Sequence, residues 1–326
     1  MAGSKAEPSL DMRTAFGDML VELGRERDEI VVLDADLNTS SKTSIFKRVF
    51  PDRFVQAGIA EQNMFGIAAG LALMGFVPFP STFAAFVARR ALDQIAISIA
   101  YPGLNVKIPG SYAGVPTSRA GASHISVEDL AVMRSLPNMR VADPGDNADL
   151  RAIMRTAVET EGPVYFRVTR LTLPDLFGPD HSFEWGRGKV VRQGTDTTLF
   201  GTGMMTSLCL SAARLLEAES IDAEVIHLAS LKPIDTDLIV RSVSKTMCAV
   251  TAENASVIGG LGSAVAEVLG EQWPAPLRMV GVRDRWVGSG GIDELFTQLQ
   301  MQPSDIAAAA RAAINAKDGR PKKRPH

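Results

Sequence analysis

The sequence predicts an α/β protein with a doubly wound first domain and a smaller second α/β domain. Apolar runs rich in β-branched residues alternate with amphipathic helical patterns, as in parallel sheets covered by helices. The alternation stops in a Pro-, Gly- and Asp-rich segment at 173–187 and then resumes. The chain has 326 residues, about twice the length of a typical domain. We expect domains at 1–180 and 191–318, a linker at 181–190 and a basic tail at 319–326.

The first domain is predicted to open with a helix at 14–26, whose apolar residues fall on one face. A buried strand follows at 30–33. The remaining predicted strands are short apolar runs at 54–56, 76–79, 105–108, 139–142 and 164–168. The helices between them are predicted at 60–74, 83–100, 126–134 and 147–159.

The second domain repeats the alternation on a smaller scale. Its strands are predicted at 197–201, 223–227, 247–251 and 277–282. Its helices are predicted at 205–219, 235–244 and 261–269.

Composition excludes several classes of protein. With 34 basic and 37 acidic residues the net charge is −3, which gives no bias toward nucleic acid or anionic membranes. Only Cys209 and Cys248 are present, so a reducing cytoplasm is expected. The first residues lack the apolar core of a signal peptide. The stretch 62–88 carries no charge, but its Pro and Gly residues argue against a membrane span and favour a helix, a turn, a strand and a second helix start.

Common catalytic motifs are absent from the sequence. Four His and two distant Cys residues offer no metal-ligand spacing, and neither a Walker loop nor a G-x-S-x-G elbow occurs. The loop at 258–262, IGGLG, could cradle an anion, although a tight strand-to-helix turn explains its glycines better.

Glu61 opens the uncharged stretch and is the most informative single residue. At a helix start facing apolar surroundings, its pKa would be raised by burial and it could share a proton with a ligand nitrogen. A Glu that only favours the helix dipole explains the position equally well.

Several motifs decide between these interpretations. They are VLDADL at 32–37, GIAEQNM at 58–64, STFAAF at 81–86, GASHISVEDLAVMR at 121–134 and AENASVIGGLGSAVAEVL at 252–269. Together they resemble the C-terminal half of transketolases, over about residues 12–316. The resemblance implies a pyrimidine-binding domain followed by the transketolase C-terminal domain.

The resemblance also implies thiamin diphosphate as cofactor. Glu61 matches the glutamate that bonds N1′ of the aminopyrimidine and exchanges a proton with it. Phe83 and Phe86 match the aromatic residues that stack on the ring, and their spacing predicts one shared helical face. Leu37 matches the apolar support of the bent cofactor, and Asp36 the acidic residue beside it.

Other matches concern the substrate. Arg13, Ser40 and Arg170 fall where transketolases hold the sugar phosphate, and donors of this kind suit an anion. His124 matches a substrate-contacting histidine that takes part in catalysis by donating to the carbonyl or the C1 hydroxyl.

The sequence departs from the family in the substrate channel. Tyr112 stands where a second histidine is usual, and Arg119 and Ala120 replace an acidic pair that includes the aspartate contacting a donor hydroxyl. Arg89 replaces an aromatic residue near the pyrimidine pocket. These changes predict an atypical sugar or another anionic substrate, contacted by Tyr112 and Arg119.

No Gly-Asp-Gly occurs, although the family uses this sequence to bind the diphosphate through Mg²⁺. We therefore expect a split enzyme, inactive until an N-terminal partner subunit supplies the diphosphate domain and the Mg²⁺ ligands. The cofactor would lie at the interface of a heterotetramer, and nucleic acid and membranes are not expected as partners.

Two alternatives stay open at this stage. One is a β subunit of a 2-oxoacid dehydrogenase, or a deoxyxylulose phosphate synthase-like enzyme, although STFAAF, DADLNTSSKT and Lys232-Pro233 favour transketolase. The other is a non-catalytic homologue with an assembly or regulatory role, because fold alone does not guarantee function.

Overall fold

The first of two sheets carries the elements on which the site is built. A computed structural model describes residues 10–318. The first sheet has six parallel strands from the first part of the chain, β1 (Ile30–Asp34), β2 (Phe54–Gln56), β3 (Val77–Phe83), β4 (Lys107–Ser111), β5 (Arg140–Ala142) and β6 (Val164–Val168). Its strand order is β10-β5-β6-β4-β3-β1-β2, where β10 (Ser230–Lys232) comes from later in the chain. The neighbouring parallel strands β6, β4, β3 and β1 therefore end on the same side of the sheet.

Seven α-helices accompany this sheet within the described residues. They are α1 (Met12–Glu26), α2 (Asn38–Ser41), α3 (Ser44–Val49), α4 (Glu61–Leu73), α5 (Ala84–Arg89), α6 (Asp129–Ser135) and α7 (Asn147–Glu159). A π-helix spans Gln94–Ala100, and short 3₁₀ turns lie at Pro51–Arg53 and Val115–Ala120. Asp11 and Asp146 cap α1 and α7 by accepting hydrogen bonds from backbone N–H groups, which explains where those helices begin.

A second unit follows, which we call the C-terminal unit. Its sheet has the order β12-β11-β8-β9-β7, formed by β7 (Lys189–Arg192), β8 (Thr197–Gly201), β9 (Ala223–His227), β11 (Ala249–Ser256) and β12 (Leu277–Val282). The helices are α8 (Met205–Glu217), α9 (Thr236–Thr246), α10 (Leu261–Gln272), α11 (Ile292–Gln298) and α12 (Pro303–Asp318).

Strand β10 (Ser230–Lys232) joins the two units. It follows β9 in the chain but pairs antiparallel with β5 at the edge of the first sheet. The alternation of strands and helices did not predict this strand, because three residues carry no periodicity of their own. The predicted limits at 180 and 191 therefore mark a change in the sequence pattern, whereas the hydrogen bonding of the first sheet extends past them.

The structure corrects the helix predicted at 83–100. Phe83 is the last residue of β3. Thr82 and Phe83 pair with Gly110 and Ser111 of β4. Helix α5 then ends at Arg89, and the π-helix begins separately at Gln94. The predicted common helical face for Phe83 and Phe86 is therefore wrong, although the two rings still meet. The short helices α2 and α3, strand β7 and the C-terminal helices α11 and α12 were not predicted.

The uncharged stretch forms α4, β3 and most of α5. In the part of the chain that the structure describes, no helix combines the length and the hydropathy needed to cross a bilayer. The basic tail predicted at 319–326 lies outside the described residues.

Buried carboxyls in this fold predict a pH dependence of stability. Burial raises the pKa of Glu253 to about 7, although hydrogen bonds from the Gly262 and Leu261 N–H groups act against that rise. Between pH 4.5 and 7 the folded chain thus holds a proton that the unfolded chain has lost, and stability falls as pH rises. Burial acts in the same direction on Asp143, whose pKa is raised to about 6.

We expect Glu253→Gln to reduce the slope of the free energy of unfolding against pH by up to about 1.4 kcal/mol per pH unit. Urea unfolding at pH 5, 6 and 7 measures the slope. Glu267→Gln, which alters a mostly exposed carboxylate, is the control and should keep the wild-type slope. Equal slopes for Glu253→Gln and wild type would contradict the prediction.

Candidate functional site

The predicted site residues gather where neighbouring strands of the first sheet end. Asp36 and Leu37 follow β1, Phe83 ends β3, Tyr112 follows β4 and Arg170 follows β6. Carboxyl ends of parallel strands meet at one edge, where doubly wound folds bind their ligands. The sheet order therefore brings together residues that are far apart in the sequence.

An aromatic cluster forms the floor of this edge. Phe83 and Phe86 stack with ring centroids 5.6 Å apart and planes 28° apart. Tyr112 lies 4.4 Å from Phe83, and Leu37 packs against the same cluster. His124 meets both phenylalanines edge-on, at 5.9 and 5.3 Å. The cluster offers an apolar surface to a flat ligand, and the His124 imidazole is a polar group at its border.

Glu61 is the first residue of α4 and only 4% exposed. Its Oε1 accepts a hydrogen bond of 2.8 Å from Arg90 Nη1. The Arg90 guanidinium in turn lies 3.8 Å from the Phe86 ring centroid. An open cleft of about 480 Å³ is lined by Glu61 and Arg90. Arg90 therefore links the buried carboxylate to the aromatic cluster.

Arg90 was missed at the sequence level. The only signal was its place in the Arg89-Arg90 pair that closes the uncharged stretch. The helix break between Arg89 and Gln94 turns this side chain back toward Glu61, whereas the expected single helix gave no reason for such a turn. The apolar surroundings expected for Glu61 are thus interrupted by one cation.

Two of the three predicted anion contacts, Arg13 and Arg170, flank Tyr112, and the third, Ser40, is bonded to Arg13. Arg13 Nη1 donates to the Tyr112 hydroxyl at 2.7 Å and to the Ser40 carbonyl at 3.3 Å. The guanidinium groups of Arg13 and Arg170 lie 5.1 and 5.5 Å from the Tyr112 ring centroid. Two cations around one phenol form a basic pocket next to the aromatic cluster.

A buried carboxylate shapes the loop that carries Asp36 and Leu37. Asp34 accepts hydrogen bonds from the Leu37 N–H at 2.6 Å and from the hydroxyls of Ser41 and Thr43. Burial raises the pKa of Asp34, and these hydrogen bonds oppose the rise. Sequence reasoning missed Asp34 as a support because its place at the end of an apolar strand resembles any strand end.

Asp36 itself has a φ of +62°, in the left-handed region. Its backbone N–H donates to Gln56 Oε1, and the Gly58 N–H does the same. Tyr112 also has a positive φ, +55°. Backbone conformations of this kind persist where surrounding contacts impose them, often at functional sites.

His124 and Arg119 lie on an irregular segment at the rim. His124 Nδ1 is 2.9 Å from the Ser123 hydroxyl. The Arg119 side chain is exposed, and its backbone carbonyl accepts a hydrogen bond from the Ser289 hydroxyl at 2.6 Å. None of the contacts described for Arg119 reaches the aromatic cluster.

Within residues 10–318, no group of three or more His, Cys, Asp and Glu side chains is arranged to hold a metal ion. The buried carboxylate and the stacked rings suit an aminopyrimidine, and the described residues that could hold that ring are Leu37, Glu61, Phe83 and Phe86.

Comparison with known proteins gives matches over almost the whole chain. Residues 8–175 match the family model for the transketolase pyrimidine-binding domain, and residues 186–306 match that for the transketolase C-terminal domain. A relative from Clostridium sp. (strain MSTE9), the 6-deoxy-6-sulfo-D-fructose transketolase subunit SqwH, is 43% identical over 95% of this chain and 96% of its own.

Two further matches also cover more than nine tenths of both chains. One of the subunits of the apulose-4-phosphate transketolase from Phocaeicola vulgatus is 35% identical over 91% of this chain and 96% of its own. A solved structure described as a split gene transketolase, inactive beta4 tetramer, is 52% identical, with a TM-score of 0.89 over 94% of this chain and 99% of that one.

Proposed function

Because the chain belongs to the transketolase family, we propose that it is one subunit of a split transketolase that transfers a two-carbon ketol unit from an anionic ketose to an aldose acceptor. The observation that carries the proposal is the buried Glu61 carboxylate, which Arg90 links to two stacked phenylalanines. Relatives that are themselves subunits, and that match over nearly their full length, support the split organisation.

Family membership implies dependence on thiamin diphosphate. When bound, this cofactor supplies a nucleophilic carbon that accepts the two-carbon unit. We propose that Glu61 holds a proton on the aminopyrimidine, that Phe83 and Phe86 stack on the ring and that Leu37 and Asp36 border it. Burial of Glu61 excludes water from the proton it shares, which strengthens the hydrogen bond.

The substrate contacts form the second part of the proposal. Arg13, Ser40 and Arg170 would bind the anionic end of the sugar, because two guanidinium groups already flank this pocket. His124 would donate to the sugar carbonyl or the C1 hydroxyl as the second catalytic group. Tyr112 and Arg119 would make the preference atypical, and the sugars named for two relatives, a sulfo-fructose and apulose phosphate, fit that expectation.

The partner is proposed to be an N-terminal subunit with the diphosphate domain and the Mg²⁺ ligands, assembled with this chain as a heterotetramer. We place the enzyme in the cytoplasm, because both cysteines, Cys209 and Cys248, are buried free thiols.

Reconstitution tests the function. The chain is mixed with thiamin diphosphate, Mg²⁺ and an N-terminal transketolase subunit whose sequence contains Gly-Asp-Gly. Light scattering measures the mass of the assembly that forms. We expect two-carbon transfer from 6-deoxy-6-sulfo-D-fructose or a ketose phosphate and no reaction with pyruvate. Reaction with pyruvate would favour the 2-oxoacid or deoxyxylulose phosphate synthase alternative, and no turnover with any ketose would favour the non-catalytic one. A sharp preference for xylulose 5-phosphate would contradict the atypical specificity.

Tyr112→Phe is expected to raise the KM for the anionic ketose about threefold to tenfold, with kcat nearly unchanged. The substitution removes the hydroxyl that accepts from Arg13 but keeps the ring on Phe83, so that the anion pocket loosens while the aromatic floor stays. Steady-state kinetics of the reconstituted enzyme measures both constants. An unchanged KM would show that the hydroxyl does not order the anion pocket.

A further inference from the structure

Arg89, the last residue of α5, holds a loop that carries three predicted substrate contacts. Its Nη1 donates to the Ala122 carbonyl at 2.8 Å, and its Nη2 donates to the Ile125 carbonyl at 2.9 Å and to Glu128 Oε2 at 3.1 Å. We call residues 112–125 the substrate loop, because Tyr112, Arg119 and His124 lie on it. One guanidinium therefore fixes the end of the loop at which His124 stands.

The substrate loop has little regular structure of its own. It contains one 3₁₀ segment, Val115–Ala120, in which Ser118 departs from helical geometry with a φ of +52°. An irregular backbone of this kind needs contacts from neighbouring elements to keep one conformation.

The C-terminal unit supplies two such contacts. The Val115 N–H donates to Asn254 Oδ1 at 2.8 Å, and the Ser289 hydroxyl donates to the Arg119 carbonyl. Gly114, with a φ of +74°, lies so close that a Cβ there would be 2.4 Å from Asn254 Nδ2. The loop is thus packed against the C-terminal unit at its start and in its middle.

Trp286 completes the arrangement. It lies between β12 and α11, as Ser289 does, and its ring centroid is 5.4 Å from the Arg89 guanidinium although the residue is 75% exposed. A planar guanidinium can stack on an indole while its edges donate hydrogen bonds, which an ammonium group cannot do.

We propose that Arg89 is a positioning residue for the substrate loop, and that Trp286 and Ser289 extend this control to the C-terminal unit. The inference rests on the proposed function, which assigns substrate contacts to Tyr112, Arg119 and His124. It gives the C-terminal unit, which contains none of the predicted site residues, a part in selecting the substrate. It also explains an arginine at a position where the resemblance predicts an aromatic residue.

Hydrogen–deuterium exchange on the full chain tests the loop directly. The Gly121, His124 and Ile125 amides bond within the loop and report its opening. Arg89→Lys and Arg89→Met should raise their exchange about tenfold or more, because charged hydrogen bonds to two carbonyls are lost or weakened. Trp286→Ala should give a smaller rise that Trp286→Phe reverses. Arg151→Lys, at a surface ion pair on α7, is the control and should leave the loop unchanged.

Kinetics of the reconstituted enzyme separates positioning from general destabilisation. Arg89→Lys should lower kcat/KM for the ketose about ten- to a hundredfold, while the thiamin diphosphate concentration for half-maximal activity stays at the wild-type value. A merely structural role would lower the melting temperature and weaken cofactor binding as well.

Unchanged exchange in both Arg89 variants overturns the proposal, as does faster exchange with an unchanged kcat/KM. If wild type transfers no two-carbon unit, the proposed function fails instead, and the exchange data still decide whether Arg89 orders the loop. Should Arg89→Met fail to fold, Arg89→Lys carries both measurements.

Discussion

Replacing Glu61 by alanine is expected to reduce two-carbon transfer about a hundredfold or more and to leave the fold intact. A positioned proton-exchanging group commonly contributes factors of this size. The fold should survive because the ion-pair partner, Arg90, is 48% exposed and stays hydrated when the carboxylate is removed. The rate is measured with the reconstituted enzyme, and circular dichroism and thermal unfolding follow the fold.

Glu61→Gln is the sharper variant, because it keeps the size of the side chain and its hydrogen bond from Arg90 but cannot take up the proton. It should lose nearly as much activity as alanine. Glu22→Gln, which alters a half-exposed carboxylate on α1, should keep wild-type activity. Retention of more than a few per cent of activity by Glu61→Ala, with wild-type cofactor and partner binding, would contradict the assigned role.

Asp129→Asn is expected to lower the free energy of unfolding by about 3–5 kcal/mol. Asp129 and Arg167 form a buried pair, with 2.5 Å between Asp129 Oδ1 and Arg167 Nη2, and the Tyr165 hydroxyl donates to Asp129 at 2.5 Å. Burial alone would raise the pKa of Asp129, but the Arg167 charge and the hydrogen bonds lower it below its ordinary value. The substitution would leave the Arg167 cation without its main counter-charge in the core.

Urea unfolding measures this loss. Arg155→Met, which breaks half-exposed ion pairs with Glu22 and Glu26, is the matched control and should cost about 1 kcal/mol or less. The contrast tests burial itself, since both variants remove charged hydrogen bonds. A loss below about 1 kcal/mol for Asp129→Asn would show that water reaches the pair.

The resemblance supplied the candidate site residues, and the strand pattern explains why the structure brings most of them together. Once the alternation placed apolar strands before Asp36, Tyr112 and Arg170, a parallel sheet required those residues to share an edge. The strands at 54–56, 164–168, 197–201, 223–227 and 277–282 have the predicted limits.

The remaining features of the fold and the site depend on contacts between residues that are far apart in the sequence. Phe83 looked helical because the segment that follows it is apolar and helix-like, and only pairing with β4 makes it extended. Arg90 and Asn254 act across 29 and 139 residues of sequence, on Glu61 and Val115 respectively. Nothing in the local composition distinguishes such residues from ordinary surface or strand positions.

Strand β10 has a consequence for how this chain can be divided. Its partner β5 would become an open edge in a fragment ending near residue 180, and an unpaired edge invites association with other chains. A gene cut at that point would therefore release a first half inclined to aggregate, whatever its own helices and core could support. The sheet that carries the site therefore gains its last strand only after the second half of the polypeptide has been made.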